Sequence, residues 1–246
     1  MTRDPAEGVD AGGYLVTGAA LANLPPAYRP VVDDCVAALT AFPELDGLYL
    51  YGSVATGRAR PPGSDLDLLA LWTSIVDVSA AVAALSDRHA AVVREIGLAQ
   101  ARVDSLAAEA DRCFLKHYCV LLAGRDRRAE LPRCRPSRAL ADGFNDDLPA
   151  LVRRLRTAVD SATTPADRLA AVRKAARRML LAVATVESVS HGTWSTDRAT
   201  GAALLIRHHP QWTEVVDRAL TWSAGGGAAG GEDELFALGE WLTGHP

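Results

Sequence analysis

The sequence is poor in paired cysteines, in surplus basic charge and in long apolar runs. Its net charge of −4 argues against a general polyanion binder, because proteins that live on nucleic acid usually carry a basic surplus. No apolar run approaches the ~20 residues of a membrane helix, and the acidic first 13 residues do not resemble a signal peptide. We therefore expect no membrane partner.

The four cysteines contain no C-x-x-C pair and lie beside no histidine cluster. This pattern argues against a zinc site and, in a chain of this size, against a disulfide framework. Scattered reduced cysteines instead favour a cytoplasmic protein. The cysteines are Cys35, Cys113, Cys119 and Cys134.

The chain has 246 residues, of which 49% are hydrophobic, enough for two domains with real cores. We predict an α/β domain over residues 1–140, with a mixed sheet, and an all-α helical bundle over residues 141–246. In the first domain the apolar patterns predict helices over 28–42 and 79–96 and strands over 47–51, 65–72 and 101–106. In the second they predict helices over 147–162, 165–189, 197–208, 211–222 and 233–242.

Asp65-Leu66-Asp67 begins the second of these strands. Because strand side chains alternate, Asp65 and Asp67 share one face and Leu66 and Leu68 the other. Adjacent carboxylates repel each other, and a cation between them removes that penalty. Mg²⁺ prefers oxygen ligands and often binds a few carboxylates together with substrate phosphates. The pair predicts a magnesium site, of a type that can hold two metal ions.

Gly52-Ser53 follows the first strand and predicts a phosphate-binding turn. Gly52 has no Cβ and lets a triphosphate approach the backbone closely, while Ser53 offers a hydroxyl and an N–H. Arg58 and Ser64, in the loop between the two strands, are further candidate phosphate contacts.

Tyr51-Gly52-Ser53, eleven residues and then Asp65-Leu66-Asp67-Leu68 resembles the signature of the DNA-polymerase-β-like nucleotidyltransferase superfamily. The resemblance implies a metal-dependent enzyme that transfers a nucleotidyl group and releases pyrophosphate. That family carries a third carboxylate on a later strand, and Asp104 is the best match for it. The resemblance makes Asp104 a metal ligand or the general base, with Glu109 and Asp111 as competitors.

The helical half contains Arg178-Met179-Leu180 through His191-Gly192, then Thr196-Asp197, then Arg207-His208-His209-Pro210 and Trp212 to Trp222. In layout this stretch resembles the helical domain of the aminoglycoside adenylyltransferases that act on streptomycin and spectinomycin. This implies ATP as donor, AMP transfer to a hydroxyl of a small acceptor, and a role in antibiotic resistance. By the same resemblance, Arg207 and Arg218 would bind the nucleotide phosphates. Glu187 and Asp197 would bind a cationic acceptor.

Two other functions stay open. A toxin-type nucleotidyltransferase would modify tRNA or a protein, and a catalytically silent protein would only bind a nucleotide as a regulator. A basic stretch of the longest helix motivates the first, although a solvated helix face is the simpler interpretation. It consists of Arg168, Arg173, Lys174, Arg177 and Arg178.

His208 and His209, with His191, are a possible set of metal ligands. Adjacent side chains on a helix point in different directions. We therefore expect these histidines to be surface or interface residues.

Overall fold

The computed structural model describes residues 7–245, which form two compact units. The sheet unit comprises Thr17–Cys134, and the helical unit comprises residues 7–16 together with 135–245. The division after Cys134 lies close to the predicted boundary at residue 140. Residues 7–16, however, belong with the helices rather than with the sheet.

The described residues contain six strands and ten α-helices. In chain order these are β1 (Gly8–Val9), β2 (Leu15–Val16), α1 (Arg29–Leu39), β3 (Leu45–Tyr51), α2 (Gly52–Ala55), β4 (Leu66–Trp72), α3 (Ser79–Arg88), β5 (Ile96–Arg102), α4 (Glu109–Tyr118), β6 (Val120–Gly124), α5 (Arg138–Phe144), α6 (Leu148–Asp160), α7 (Pro165–Ser190), α8 (Arg198–His208), α9 (Thr213–Ser223) and α10 (Glu232–Gly244).

A four-stranded mixed sheet organises the sheet unit, in the order β5-β4-β3-β6. β3 runs antiparallel to β4 and β6, while β4 and β5 are parallel. The predicted strands 47–51 and 65–72 are confirmed. Leu66 and Leu68 belong to the core cluster that includes α1 and α3, whereas Leu69 and Leu71 pack with Leu115 of α4 on the opposite face.

The prediction of one helix over 79–96 is wrong in its second half. The helix ends at Arg88, and Ile96 begins β5. Val92, Val93 and Ile96 recur at a spacing that a helix also shows, and parallel pairing with β4 is a long-range contact that no local pattern reveals. Since β5 ends at Arg102 instead of continuing through residue 106, Asp104 lies beyond the strand.

The helical unit is built around α7, whose side chains from Val172 to Ser188 are largely buried. The five predicted helices are confirmed within a few residues at each end, and α5 adds a sixth. The unit is not purely helical, because β1 and β2 form a small antiparallel pair in it. None of the described helices combines the length and the apolar character that a membrane span requires.

Gly201 of α8 packs directly against the backbone of Ala184 in α7. A Cβ at Gly201 would overlap the Cα and Cβ of Ala184. We expect Gly201→Ala to lower the free energy of unfolding by about 1–3 kcal/mol, the usual cost of overpacking, as measured by urea denaturation. Gly244→Ala is the matched control, since a Cβ there meets no atom within 4 Å; equal destabilisation by both would contradict this packing argument.

Candidate functional site

Asp65 and Asp67 lie at the beginning of β4. Asp67 pairs with Tyr51 at the end of β3, and Asp65 immediately precedes the strand. Leu66 and Leu68 face the core beneath α1 and α3, so the acids share the other face by strand alternation. The predicted separation of carboxylates and leucines is confirmed.

Gly52 brings its backbone directly against Asp67. Its φ of +72° lies in the left-handed region, which glycine adopts without strain. A Cβ at this position would overlap Asp67 Oδ2. The turn after β3 and the acid of β4 therefore occupy one small volume, as the motif predicted.

The two carboxylates are incompletely neutralised. Asp65 Oδ2 accepts a hydrogen bond from Arg94 Nη2, while Asp65 Oδ1 is buried and has no hydrogen-bond partner in the described part of the chain. Burial, then the charges of Asp65 and Glu95, raise the pKa of Asp67 to about 6 against the opposing effect of Arg94. Carboxylate oxygens left without partners in this way fit a hard divalent cation such as Mg²⁺.

The pKa of Asp67 predicts a pH dependence of stability. Because that pKa is higher in the folded protein than its ordinary value of ~3.9, the folded state binds the proton more tightly than the unfolded state. The stabilisation is full below pH ~4 and is lost as pH rises through about 6. With a chelator present, we expect Asp67→Asn to melt above the wild type at pH 8 and close to it at pH 4. A difference in melting temperature between the two proteins that is larger at pH 4 than at pH 8 would contradict the raised pKa of Asp67.

The predicted phosphate contacts form the ordered loop that follows Gly52. The Ser53 carbonyl accepts hydrogen bonds from the backbone N–H of Arg58 at 2.8 Å and of Ala59 at 3.1 Å. Arg58 Nε donates to Thr56 Oγ1 at 3.0 Å. Ser64 Oγ accepts from the Arg60 N–H at 3.0 Å. These bonds define the path of the loop, and a phosphate role for Ser53, Arg58 and Ser64 stays a prediction.

Asp104 is not brought to the two acids. Gly97 is the β5 residue opposite Asp67, and Arg102 is opposite Trp72 at the other end of β4. Arg102 is five residues beyond Gly97 along the strand, roughly 16 Å at ~3.3 Å per residue, and Asp104 lies further on. Its carboxylate is exposed and paired with Arg102, at 2.6 Å. The assignment of Asp104 to the metal site is corrected by this register.

Arg94 and Glu95 are the charged residues at this corner that the sequence prediction missed. The backbone N–H of Arg94 donates a hydrogen bond to the Ser64 carbonyl at 3.2 Å, and the Glu95 carbonyl accepts one from the Leu66 N–H at 3.0 Å. They were overlooked because their segment was assigned to a helix. The sequence does contain a signal for them, because Arg94 and Glu95 form a charged pair directly before Ile96, where the strand begins.

Two residues predicted to bind ligands in the helical unit have structural contacts instead. Asp197 caps α8, because its Oδ2 accepts from both N and Oγ1 of Thr200 at 2.8 Å. Arg218 pairs with Glu234 of α10 at 2.5 Å. The predicted ligand-binding roles of Asp197 and Arg218 therefore compete with these structural contacts, which already engage both side chains.

Glu187 and Arg207 lie in different surroundings within the helical unit. The Glu187 side chain is fully buried, which is unlike an acid presented to a soluble acceptor. Arg207 is exposed and lines a cavity of about 660 Å³ together with Ser188 and His191. A cavity of this size is in the range that accepts drug-sized molecules.

Comparison with known proteins leaves the functional argument to the site itself. No family model matches the chain, and no curated protein matches it significantly. The assignment below therefore depends on the chemistry of Asp65, Asp67 and Gly52.

Proposed function

We propose that this protein is a Mg²⁺-dependent nucleotidyltransferase that moves AMP from ATP to a hydroxyl of a small acceptor and releases pyrophosphate. One observation carries the proposal: the Asp67 carboxylate lies directly against the backbone of Gly52, and Asp65, two residues before it, has a buried oxygen with no hydrogen-bond partner among the described residues. The nucleotidyltransferase fold, with a sheet domain and a helical domain, is part of the same proposal.

Asp65 and Asp67 would hold the metal ion. Bound Mg²⁺ supplies positive charge that stabilises the oxygens of phosphoryl-type transfer. Gly52 would admit the triphosphate to the backbone, since it has no side chain to exclude it. Ser53 would orient a phosphate oxygen through its hydroxyl.

Glu95 replaces Asp104 as the candidate for the third acid. Its backbone carbonyl accepts the N–H of Leu66 at 3.0 Å, and its charge contributes to the raised pKa of Asp67. It is exposed and could therefore reach an acceptor. In this proposal Glu95 accepts the proton of the acceptor hydroxyl, a role in which a positioned carboxylate acts as general base.

Aminoglycosides are the first acceptor class to test. The cavity beside Arg207 and Ser188 offers room and polar groups for a compound of that size. Because Glu187 is fully buried and Asp197 caps α8, we propose no acidic anchor for a cationic drug. Neutral aminocyclitols and sugar alcohols belong in the same panel.

The basic face of α7 supports no second function. Four of its five cations bind acids or carbonyls of the helical unit, which is how a solvated structural face behaves. The pairs are Arg168 with Glu232, Arg173 with Gly225 O, Arg177 with Ser223 O, and Arg178 with Asp146.

The test is pyrophosphate release from Mg-ATP across the acceptor panel, with total tRNA included and the adenylylated product identified by mass. We expect release with at least one small acceptor, dependent on Mg²⁺. Absence of release from folded protein with every acceptor would count against small-molecule transfer, and labelling of tRNA alone would favour the toxin-type alternative.

A further inference from the structure

Glu187 is a buried acid that the proposed transfer reaction does not use. It lies in the last turn of α7 with a side chain that is 0% exposed. Neither carboxylate oxygen has a hydrogen-bond partner within the described residues. Burial raises its pKa to about 7. Burying a carboxylate is costly unless it is paired with a cation or coordinates a metal. The groups around Glu187 therefore indicate what this carboxylate binds.

Three histidine rings surround this carboxylate. Their Nε2 atoms lie 3.5 Å (His191) and 3.8 Å (His209) from Glu187 Oε2, and 3.4 Å (His245) from Oε1. Ligand atoms of Glu187, His209 and His245 all lie within 4.8 Å of one another. In a tetrahedral site with ~2.1 Å bonds, ligand atoms are roughly 3.4 Å apart. Side-chain shifts of about 1 Å would close the group around one ion.

The group forms where three helices of one unit end. Glu187 is in the last turn of α7, while His209 and His245 directly follow α8 and α10. The carboxyl end of a helix carries partial negative charge, and a cation is favoured there. Three such ends around one carboxylate make a position suited to positive charge.

The histidine positions are held by neighbouring side chains. Arg138 donates hydrogen bonds to the carbonyls of His245 and of Leu242, the latter at 3.1 Å. The Trp241 ring packs against the rings of His209 at 4.8 Å and His245 at 4.2 Å.

We propose that Glu187, His209 and His245 form a binding site for a divalent transition-metal ion of the Zn²⁺ class. Two imidazole nitrogens and one carboxylate are a zinc donor set that leaves a fourth position, which His191 or water would fill. Mg²⁺ prefers oxygen ligands, so this site differs in chemistry from the Asp65 and Asp67 pair. Its role would be to tie the ends of α7, α8 and α10 together.

The experiment uses the full-length protein after removal of metals with a chelator. Zn²⁺ is titrated by calorimetry in the presence of excess Mg²⁺, which competes for oxygen-ligand sites. We expect one Zn²⁺ per chain. Co²⁺ should give a visible spectrum of nitrogen and oxygen coordination, without the near-ultraviolet bands of cysteine thiolates. No binding, or thiolate bands, would overturn the proposal.

Substitutions localise the site. We expect Glu187→Gln, His209→Gln and His245→Gln each to weaken Zn²⁺ binding by at least ~100-fold, because loss of a direct ligand exceeds the 10–100-fold cost of outer-shell changes. The matched control is His89→Gln, since His89 lies in the sheet unit, where it is paired with Asp34, and is outside the ligand group. The Zn²⁺ affinity of this control variant should stay within about threefold of that of the wild type. Binding that survives in the His209→Gln/His245→Gln double variant would overturn the site.

A thermal readout guards against variants that fold poorly. Saturating Zn²⁺ should raise the melting temperature of the wild type and of His89→Gln by about 5 °C, the shift expected for a ligand well above its dissociation constant. It should leave that of His209→Gln unchanged. Because these measurements require no nucleotide, they succeed or fail independently of the proposed transferase activity.

Discussion

Asp67→Asn is expected to lower the rate of pyrophosphate release by about 10³-fold or more. The variant removes one unit of negative charge and one metal ligand, and metal-ion stabilisation of such transition states is worth several kcal/mol. A loss of about 4 kcal/mol corresponds to ~10³ in rate. Asp65→Asn should have a similar effect, measured as steady-state release from Mg-ATP with the best acceptor of the panel.

Asp104→Asn is the matched control for this prediction. It makes the same chemical change beyond the far end of β5, where the carboxylate is exposed and pairs with Arg102. We expect its rate to stay within about threefold of the wild type, as for most surface substitutions. If Asp104→Asn were folded and as inactive as Asp67→Asn, the register-based placement of the site would be wrong. Glu95→Gln, in contrast, should reduce turnover by roughly 10²-fold, as loss of a general base does.

Gly52→Ala carries the second large expected effect. Gly52 has a φ of +72°, where an alanine costs roughly 1–2 kcal/mol, and its Cβ would overlap Asp67 Oδ2. We expect a loss of unfolding free energy of about 2 kcal/mol, and a rate reduced by about 100-fold because a small misplacement of a reacting group can cost that much. Urea denaturation and pyrophosphate release measure the two quantities separately.

Gly63→Ala provides the comparison in the same loop. The nearest atom to its Cβ would be Arg60 O at 3.7 Å, an ordinary contact, and its φ is not in the left-handed region. Its stability should stay within ~0.5 kcal/mol of the wild type. A Gly52→Ala protein with wild-type stability and rate would show that the backbone and Asp67 do not share the space described.

Local sequence patterns predicted the firmest part of the site. Strand alternation alone places Asp65 and Asp67 on one face, because side chains of a strand alternate whatever the partner strand is. Helical periodicity likewise located α7 and its buried face. Asp104 was misplaced because its assignment required the start and the partner of β5, and both depend on pairing with β4.

Long-range contacts decided the surroundings of Glu187. The sequence suggested an acid for a cationic acceptor and surface or interface positions for His191 and His209. His208 stacks on the His191 ring, and His209 faces the Glu187 carboxylate. His245, 58 residues beyond Glu187 in the chain, completes the group. No local pattern relates these residues.

Glu7 shows the same limit near the beginning of the chain. Its carboxylate accepts hydrogen bonds from Ser195 Oγ and Thr196 Oγ1, both at 2.7 Å. The sequence prediction assigned Glu7 to the α/β domain of residues 1–140, because that domain follows it directly in the chain. Its contacts place Glu7 in the helical unit, since its hydrogen-bond partners lie about 190 residues further along the chain.

The sequence by itself determined the paired acids, the glycine turn and most helices, because these follow from spacings of two to four residues along one segment. Only the tertiary structure decided which third acid neighbours Asp67, which residues belong to the helical unit and what surrounds Glu187. Those features depend on strand register and on helix ends that meet across the chain, and the free energy that selects them comes from packing between distant segments.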